Sequence, residues 1–352
     1  MKNTEKSRRR AVGLLSGGLD STLAARLMME QGIEVHAINF VSPFCTCTAK
    51  SAGCPAVVSA VRQLGDIPLK RVVLREEYLE MVRNPRFGYG RAMNPCIDCR
   101  IMKIRKAGEY MREIGADFLF TGEVLGQRPM SQHRAAMETI DKASGMAGLI
   151  VRPLSCGLLS PTIPEQKGWI DRGQMLSIAG RSRKPQIELA HDFSINDYPC
   201  PAGGCLLTEP EFAKKLKLLL ELQADISVRD VSLLKSGRLR LTDDGGIMII
   251  ARNAADCNAL EQLAQPAEHL FVPEFSGPTV LLRGNEIDAA LAAIIEYSKA
   301  PESTPRNVKH LYNGQSRTIA LDLISSLALD GSAGQSGNQM AMKENSHSNQ
   351  RH

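Results

Sequence analysis

The sequence has 352 residues, of which 43% are hydrophobic and 23% are charged. At roughly 150 residues per domain this length predicts about two domains, and the near-average composition excludes a wholly disordered, collagen-like or coiled-coil chain. The sequence has no apolar run of the roughly 18 residues that a membrane helix needs, and its first residues are polar and basic, unlike a secretion signal. We therefore expect a cytoplasmic protein with no membrane partner.

Positive charge is concentrated in two stretches. The formal net charge is only +5, but residues 70–106 contain ten Lys or Arg against four Asp or Glu, and residues 1–10 form a basic arm. Such stretches predict contact with the phosphates of a nucleic acid, with an ordinary solvated face as the alternative. The nine cysteines, in a chain without an export signal, favour metal or thiol chemistry over a disulfide framework.

Short apolar runs alternate with helical patterns over residues 11–165, which predicts a domain with a doubly wound parallel sheet. The predicted strands are residues 11–15, 35–41, 71–74, 117–121 and 149–154. The predicted helices are residues 22–31, 56–64 and 99–114. Gly32 and Gly115 follow two of these helices and are expected to end them.

Residues 166–224 are rich in proline and are predicted to be a connector with helices at 171–179 and 209–222. A small α+β domain is expected over residues 225–310. A hairpin is predicted from Leu239 and Leu241 to residues 247–251, followed by helices at 254–263 and 286–298 and a strand at 279–282. The Gly, Ser, Asn and Gln content of residues 330–352 predicts a disordered tail.

A glycine-rich loop lies between the first predicted strand and the first predicted helix. It reads Ser16, Gly17, Gly18, Leu19, Asp20, Ser21. Adjacent glycines let the backbone approach an anion, the free amides at a helix start point toward it, and Asp20 could hold Mg²⁺. On spacing alone, an ordinary glycine turn before a helix is an equal alternative.

The loop resembles the pyrophosphatase loop of the N-type (PP-loop) ATP pyrophosphatases, which form adenylates and release pyrophosphate. That resemblance implies a HUP-like fold and binding of ATP with Mg²⁺. The implied nucleotide-binding residues are Ser16, Gly17, Gly18, Asp20 and Ser21, with Asn39 and Phe40 after the second strand near adenine.

Two thiols at CxxC spacing, Cys96 and Cys99, begin a basic helix, where the helix dipole and cations are expected to favour thiolates. Cys200 and Cys205 lie in a later glycine-rich loop. Three thiols with an open fourth position suit a [4Fe-4S] cluster or a zinc ion. A chance CxxC, a redox pair and a structural zinc site are the alternatives.

These segments resemble the tRNA thiolases. Asn94 to Arg100 is similar to the NPxxxCNxxIKF segment of tRNA 2-thiouridylases, and the residues around Cys205 are similar to their later cysteine loop. Residues 121–127, with Ser131 and Gln132, resemble the TGExLGQxxSQ stretch of 4-thiouridine synthases, which assigns Gly122 and Gln127 to the nucleotide site. The resemblance covers about residues 11–207.

The resemblance implies ATP-dependent thiolation of a tRNA uridine. ATP adenylates a carbonyl oxygen, pyrophosphate leaves, and sulfur held by a [4Fe-4S] cluster on Cys96, Cys99 and Cys205 displaces AMP. Asp20, Cys99 and Cys205 are the implied catalytic residues, and Cys200 could replace Cys205. The sulfur donor stays open between sulfide and a cysteine desulfurase or sulfur carrier, and a homodimer is one option for the assembly.

Several alternatives remain at this point. A deazaguanine nitrile synthase with structural zinc and an amide synthetase are other adenylate-forming enzymes, and a non-catalytic RNA-binding adaptor is a different class. The segment from about 227 to 298 faintly resembles the RNA-binding module of ribosome quality-control factors, with a structural cap as the other interpretation. Cys45, Cys47 and Cys54 follow the second strand. They could form a second metal site, serve as a sulfur relay or be inert loop cysteines.

Overall fold

The structure is a computed structural model that describes residues 9–46, 55–199, 204–223, 225–301 and 303–321. The chain divides into two units between Lys235 and Ser236. In the described part of the chain, every helix is too short or too polar to cross a membrane.

The first unit is built on a five-stranded sheet in the order β3-β2-β1-β4-β5, and all neighbouring strands are parallel. Its strands are β1 (Arg10–Leu14), β2 (Glu34–Val41), β3 (Leu69–Val73), β4 (Phe118–Thr121) and β5 (Ile150–Val151). Its helices are α1 (Leu19–Glu30), α2 (Pro55–Gln63), α3 (Glu76–Arg83), α4 (Cys96–Glu113), α5 (Arg134–Ala143), α6 (Ile163–Gln166), α7 (Lys184–Asp192), α8 (Pro210–Leu222) and α9 (Val228–Lys235). The predicted doubly wound α/β fold is confirmed.

Helices cover both faces of this sheet because side chains alternate between the faces along each strand. In β4, Phe118 and Phe120 pack on the face covered by α1 and α2, whereas Leu119 packs with α4 and α5 on the other. Gly13 of β1 lies directly against the Phe120 ring, where a Cβ atom would come within 2.2 Å of it. The missing side chain of Gly13 therefore makes room for Phe120 in the core.

The connector differs from its prediction at residues 171–179, which were expected to be a helix. Asp171 caps only a short 3-10 turn, Arg172–Gln174. The chain then runs extended beside the end of the sheet, where the amides of Leu176 and Ile178 donate to the carbonyls of residues 153 and 154. These backbone partners replace the ones that a helix would have supplied.

The second unit contains a six-stranded antiparallel sheet in the order β11-β10-β8-β9-β7-β6. The strands are β6 (Arg238–Leu241), β7 (Ile247–Ile250), β8 (His269–Pro273), β9 (Val280–Arg283), β10 (Asn307–Tyr312) and β11 (Gln315–Ala320). The helices are α10 (Ala254–Leu263) and α11 (Ile287–Glu296). The α+β class and the β6–β7 hairpin agree with the sequence, while α9, within the expected range 225–310, belongs to the first unit.

The contact between Gly13 and Phe120 gives a stability test. Replacing Gly13 by Ala should lower the free energy of unfolding by about 1–3 kcal/mol, because an added methyl group overpacks a filled core. Adding Phe120→Leu should recover part of that loss, so that the double variant is less destabilised than the sum of the two single variants. Urea denaturation measures the free energy of unfolding of the wild type, the two single variants and the double variant. Strictly additive effects would contradict the proposed contact.

Candidate functional site

The loop from Ser16 to Ser21 lies at the carboxyl edge of the parallel sheet, between the end of β1 and the start of α1. Strands β2 and β3 lie on one side of β1, and β4 and β5 lie on the other. This reversal between β1 and β4 is a topological switch point, the place where open α/β sheets bind ligands.

Hydrogen bonds within the loop fix its shape. The Ser21 hydroxyl donates to the carbonyl of Gly18 at 2.8 Å, and the backbone amide of Ser16 donates to the Ser21 hydroxyl at 3.2 Å. Gly17 has φ +79°, and a Cβ atom there would lie 2.6 Å from the backbone of Ala56. Gly18 is the N-cap residue before α1, and no side chain of the described residues caps this helix start. The first amides of α1 are therefore available to an anion.

Asp20 is held at this loop by two glutamines. The Gln127 amide donates to Asp20 Oδ2 at 2.7 Å, and the amide of Gln186 on α7 donates to Gln127 Oε1 at 3.0 Å. Asp20 Oδ1 is buried and has no hydrogen-bond partner in the described chain. A buried carboxylate oxygen without a partner is costly, so this atom fits a divalent cation or a ligand donor.

Asn39 and Phe40 lie near the carboxyl end of β2, beside the end of β1. The Asn39 amide donates to the carbonyl of Leu15 at 2.8 Å. Its Oδ1 atom is buried and is another acceptor without a partner in the described residues. Phe40 packs at the margin of the core formed with α4. Asn39 thus has a free acceptor near the loop, while Phe40 contributes apolar surface.

Consecutive residues after β4 connect the loop to α4. A Cβ atom on Gly122 would lie 2.5 Å from the backbone of Asp20, so only glycine permits this approach. The next residue, Glu123, is fully buried between two arginines: Arg100 Nε lies 2.7 Å from Oε1, and Arg152 Nε lies 3.0 Å from Oε2. Burial alone raises the pKa of Glu123, but the two arginines outweigh it and lower that pKa to about 2.

The CxxC pair occupies the first turn of α4, which begins at Cys96 itself. The Asn94 amide donates to Cys96 Sγ at 3.0 Å, and the hydroxyl of Tyr78 on α3 donates to Cys99 Sγ at 3.1 Å. Burial, together with Cys99 and Cys205 nearby, raises the pKa of Tyr78 far above its usual range. Tyr78 therefore keeps its proton and acts as a donor.

Cys205 is brought to the same place by a backbone bridge to Cys45 in the loop after β2. The amide of Leu206 donates to the carbonyl of Phe44 at 2.9 Å, and the amide of Thr46 donates to that of Gly204 at 3.3 Å. Cys45, Cys99 and Cys205 lie on three separate segments, and each of them raises the pKa of the Tyr78 hydroxyl. We call Cys45, Cys96, Cys99 and Cys205 the thiol cluster.

Cys96 differs from the expectation that the helix dipole and cations favour a thiolate. Burial and the nearby Cys99 raise the pKa of Cys96, although Arg128 and Arg100 oppose this effect. Burial raises the pKa of Cys205 to about 11. Burial therefore favours the protonated form of both thiols, and a bound metal would favour the thiolate form.

All six cysteines in the described part of the chain are free. Within those residues, no three side chains of His, Cys, Asp or Glu converge as ligands of a single metal ion. Cys156 is buried in the sheet core, and Cys257 lies in the second unit. Cys47, Cys54 and Cys200 fall outside the described residues.

Sequence reasoning missed four residues of this region. They are Tyr78, Arg100, Glu123 and Gln186. Arg100 and Glu123 both lie in the quoted thiolase-like motifs, so an ion pair between them was available as a signal. Tyr78 and Gln186 lie on helices that were not predicted.

Comparison with known proteins identifies relatives of each unit. Residues 6–158 match the family model described as thiamine biosynthesis protein (ThiI), and residues 237–326 match the NFACT protein RNA binding domain. The tRNA-specific 2-thiouridylase MnmA of Leptospira biflexa is 25% identical over 210 residues, which are 55% of each chain. The same enzyme of Syntrophotalea carbinolica is 36% identical over 115 residues, 31% of this chain and 32% of that protein.

Two solved structures are similar over larger shares of the chain. A 4-thiouridine synthetase in complex with RNA and ATP is 23% identical, covering 64% of this chain and 52% of that one, with a TM-score of 0.36. The U34-tRNA thiolase NcsA of Methanococcus maripaludis, with its [4Fe-4S] cluster, is 19% identical, covering 74% and 83%, with a TM-score of 0.32. The chain spans about half the length of the curated relatives it matches first. The sequence matches confirm the resemblance to PP-loop tRNA thiolases and, for the second unit, to the RNA-binding module.

The Glu123 ion pairs predict a pH-dependent stability. At neutral pH, Glu123→Gln should lower the free energy of unfolding by about 3–5 kcal/mol, because it leaves buried guanidinium charge without its carboxylate partner. Since the folded pKa of about 2 lies below the ordinary value of 4.5, the wild-type advantage should be complete above pH 4.5 and shrink as the pH falls toward 2.

Denaturant unfolding of both proteins at several pH values measures this difference. The exposed variant Glu138→Gln is the control and should change stability by less than about 0.5 kcal/mol. An equal stability difference between wild type and Glu123→Gln at pH 7 and pH 3 would count against the ion pair.

Proposed function

We propose that this protein thiolates a uridine of tRNA in an ATP-dependent reaction. A carbonyl oxygen of the uridine is adenylated with release of pyrophosphate, and sulfur then displaces AMP. One observation carries the proposal: two consecutive residues after β4 contact the two halves of the site. Gly122 lies against Asp20 of the glycine-rich loop, and Glu123 pairs with Arg100 of α4, the helix that begins with the CxxC thiols. A thiolase needs both half-sites close together because the adenylated base is the substrate of the sulfur step.

The loop half-site would bind ATP and Mg²⁺. The amides at the start of α1 would neutralise charge on the phosphates, with the hydroxyls of Ser16 and Ser21 next to them. Asp20 offers the buried oxygen without a partner that a Mg²⁺ ligand requires, and Gln127 holds its second oxygen. The remaining proposed nucleotide contacts are Gly17, Gly18, Asn39, Phe40 and Gly122.

The sulfur half-site would consist of Cys96, Cys99 and Cys205. Thiolates are the ligands of iron–sulfur clusters, and this donor set fits a [4Fe-4S] cluster with one iron left open. Each cysteine of such a cluster binds its own iron, so the thiols do not need to converge on one point, as they would for zinc. When bound, the cluster would supply the sulfur atom that replaces AMP.

The protein's own residues would position and shield the reactants. Tyr78 and Asn94 donate hydrogen bonds to the sulfurs of Cys99 and Cys96, which fixes the two thiols at the start of α4. Arg100 joins α4 to the end of β4 through Glu123. These contacts hold the sulfur half-site in register with the loop, as group transfer between two sites requires.

The second unit and the basic stretch 70–106 would hold the tRNA in the cytoplasm. The match to an RNA-binding domain supports this role for residues 237–326. The arginines and lysines of residues 70–106 flank the thiol cluster in sequence and suit phosphate contacts. Sulfide or a cysteine desulfurase with its carrier would deliver the sulfur.

Anaerobic reconstitution tests the reaction directly. We expect the protein, treated with iron and sulfide and supplied with Mg-ATP and unmodified tRNA, to form a thiouridine that depends on ATP. Cys99→Ser should lower the yield by about 100-fold or more, since the proposed sulfur site loses one of three ligands. Mass spectrometry of digested nucleosides measures the product, and chromatography separates 2-thiouridine from 4-thiouridine.

The matched control is Cys257→Ser, which changes a cysteine of the second unit and should thiolate at the wild-type rate. Normal thiolation by Cys99→Ser would remove Cys99 from the mechanism. Pyrophosphate release without any thionucleoside, in a protein that holds iron and sulfide, would argue for a different sulfur acceptor.

The role of Asp20 predicts a separate defect in adenylation. Asp20→Asn removes the charge that would bind Mg²⁺ and should slow tRNA-dependent pyrophosphate release by about 100-fold, while cluster uptake stays at the wild-type level. A coupled pyrophosphate assay measures the first quantity and iron analysis the second. Asp192→Asn, an exposed change on α7, is the control. An unchanged rate for Asp20→Asn would rule out the proposed metal role.

A further inference from the structure

Cys45 is a member of the thiol cluster but is not one of the three proposed ligands of the iron–sulfur cluster. Its loop is fixed by Phe44, whose ring is fully buried with its centroid 6.0 Å from both the Tyr78 ring and the Phe212 ring. The ammonium group of Lys235 donates to the Cys45 carbonyl at 3.0 Å. The backbone of Cys45 is therefore anchored from both sides of the residue.

The bridge between Cys45 and Cys205 has a specific geometry. The two hydrogen bonds flank the pair, running from Leu206 to Phe44 and from Thr46 to Gly204, and neither involves Cys45 or Cys205. This pattern defines a non-hydrogen-bonded antiparallel pair, in which the Cα atoms are about 4.5 Å apart and the side chains are closest. A disulfide requires Cα atoms roughly 4.4–6.8 Å apart. The typical spacing of this kind of pair falls within that range.

The other two thiols of the cluster are each engaged by a separate donor. Cys96 Sγ accepts from Asn94, and Cys99 Sγ accepts from Tyr78. Cys45 Sγ accepts only from its own loop, from the amide of Ser42 at 3.2 Å. Cys99 also lies near Cys205, because it contributes to the raised pKa of that thiol. Only Cys45, however, faces Cys205 across a backbone bridge, so this is the pair whose backbone geometry suits a disulfide.

We propose that Cys45 and Cys205 form a reversible disulfide, which removes Cys205 from the ligands of the sulfur half-site. The disulfide itself follows from the bridge, whereas its effect on sulfur transfer rests on the proposed function. The oxidised and the cluster-bearing states exclude each other because one Cys205 sulfur cannot serve both.

The oxidant is a low-molecular-weight disulfide such as oxidised glutathione. One protein thiolate attacks a sulfur of the small disulfide, forming a mixed disulfide and releasing one small thiolate. The second protein thiolate attacks the protein sulfur of that mixed disulfide, forms the Cys45–Cys205 bond and releases the second small thiolate. Two protein thiols are oxidised, one small disulfide is reduced to two thiols, and the protons move to the released thiols.

Mass spectrometry of the full chain tests the disulfide without reference to any activity. The reduced protein, stripped of metal, is treated with oxidised glutathione, and its remaining thiols are alkylated before digestion. We expect a cross-link between Cys45 and Cys205 in the wild type and its loss in Cys45→Ser and Cys205→Ser. Because other cysteines lie close in sequence, Cys47→Ser and Cys200→Ser are controls that should retain the cross-link. Alkylation of both Cys45 and Cys205, or a disulfide of Cys99 with either Cys205 or Cys96 in place of the expected cross-link, would overturn the proposal.

Iron uptake tests the consequence. Oxidised wild-type protein is given iron and sulfide, and the surviving cross-link is measured after loading, because sulfide itself can open a disulfide. Protein that stays cross-linked should take up about tenfold less iron than reduced wild type, because cluster binding requires a free Cys205 thiolate. Cys45→Ser should load equally after either treatment. Full loading of the cross-linked wild type would overturn the exclusion between the two states. A cross-link in a protein that takes up no iron even when reduced would support the disulfide and contradict the cluster assignment alone.

Discussion

The buried carboxylate of Glu123 is the interaction on which the arrangement of this site depends. It lies at the end of β4, where one oxygen contacts Arg100 of α4 and the other contacts Arg152 beyond β5. Arg152 continues the chain of charges to Asp141 of α5 at 2.7 Å. One carboxylate therefore sets the position of α4 relative to the sheet edge, and the thiols at the start of α4 are placed by the same contact.

A buried charge of this kind costs desolvation energy, which its ion pairs must offset. Apolar side chains of similar volume could often fill such a space at no loss of stability, but they are non-directional. Two arginines on separate oxygens of one carboxylate are directional, because each guanidinium must lie near the plane of its acceptor. The hydrogen bond from the Thr121 hydroxyl to Glu123 at 3.0 Å completes the set. The neighbouring Gly122 packs directly against the backbone of Asp20, so the position of Glu123 also fixes the loop around Asp20.

The sequence was sufficient for the parallel sheet and for the position of the glycine-rich loop, for reasons visible in particular elements. Parallel strands such as β1 and β4 are continuous apolar runs, and the glycine-rich loop follows its strand directly, so both are local signals. Helix α3 was missed although Tyr78, Leu79 and Val82 lie on one buried face, because eight residues with three glutamates give a weak pattern. The predicted helix at 171–179 failed because backbone partners at residues 153 and 154 are distant in sequence.

The thiol cluster shows the limit of local reasoning most clearly. The sequence placed Cys45 among loop cysteines and offered no means of pairing it with Cys205, since that pairing is set by Phe44 packing against Tyr78 and Phe212. It also suggested reactive thiolates at a helix start, whereas burial raises the pKa of Cys96 there and that of Cys205 in the later loop. Burial therefore makes the thiolate form of both less favourable, which slows their reaction as nucleophiles. The packing of Phe44 also places Cys45 opposite Cys205 in a backbone bridge. The packing that would bring the proposed cluster ligands together would therefore also leave Cys205 next to an oxidation partner whenever the cluster is absent.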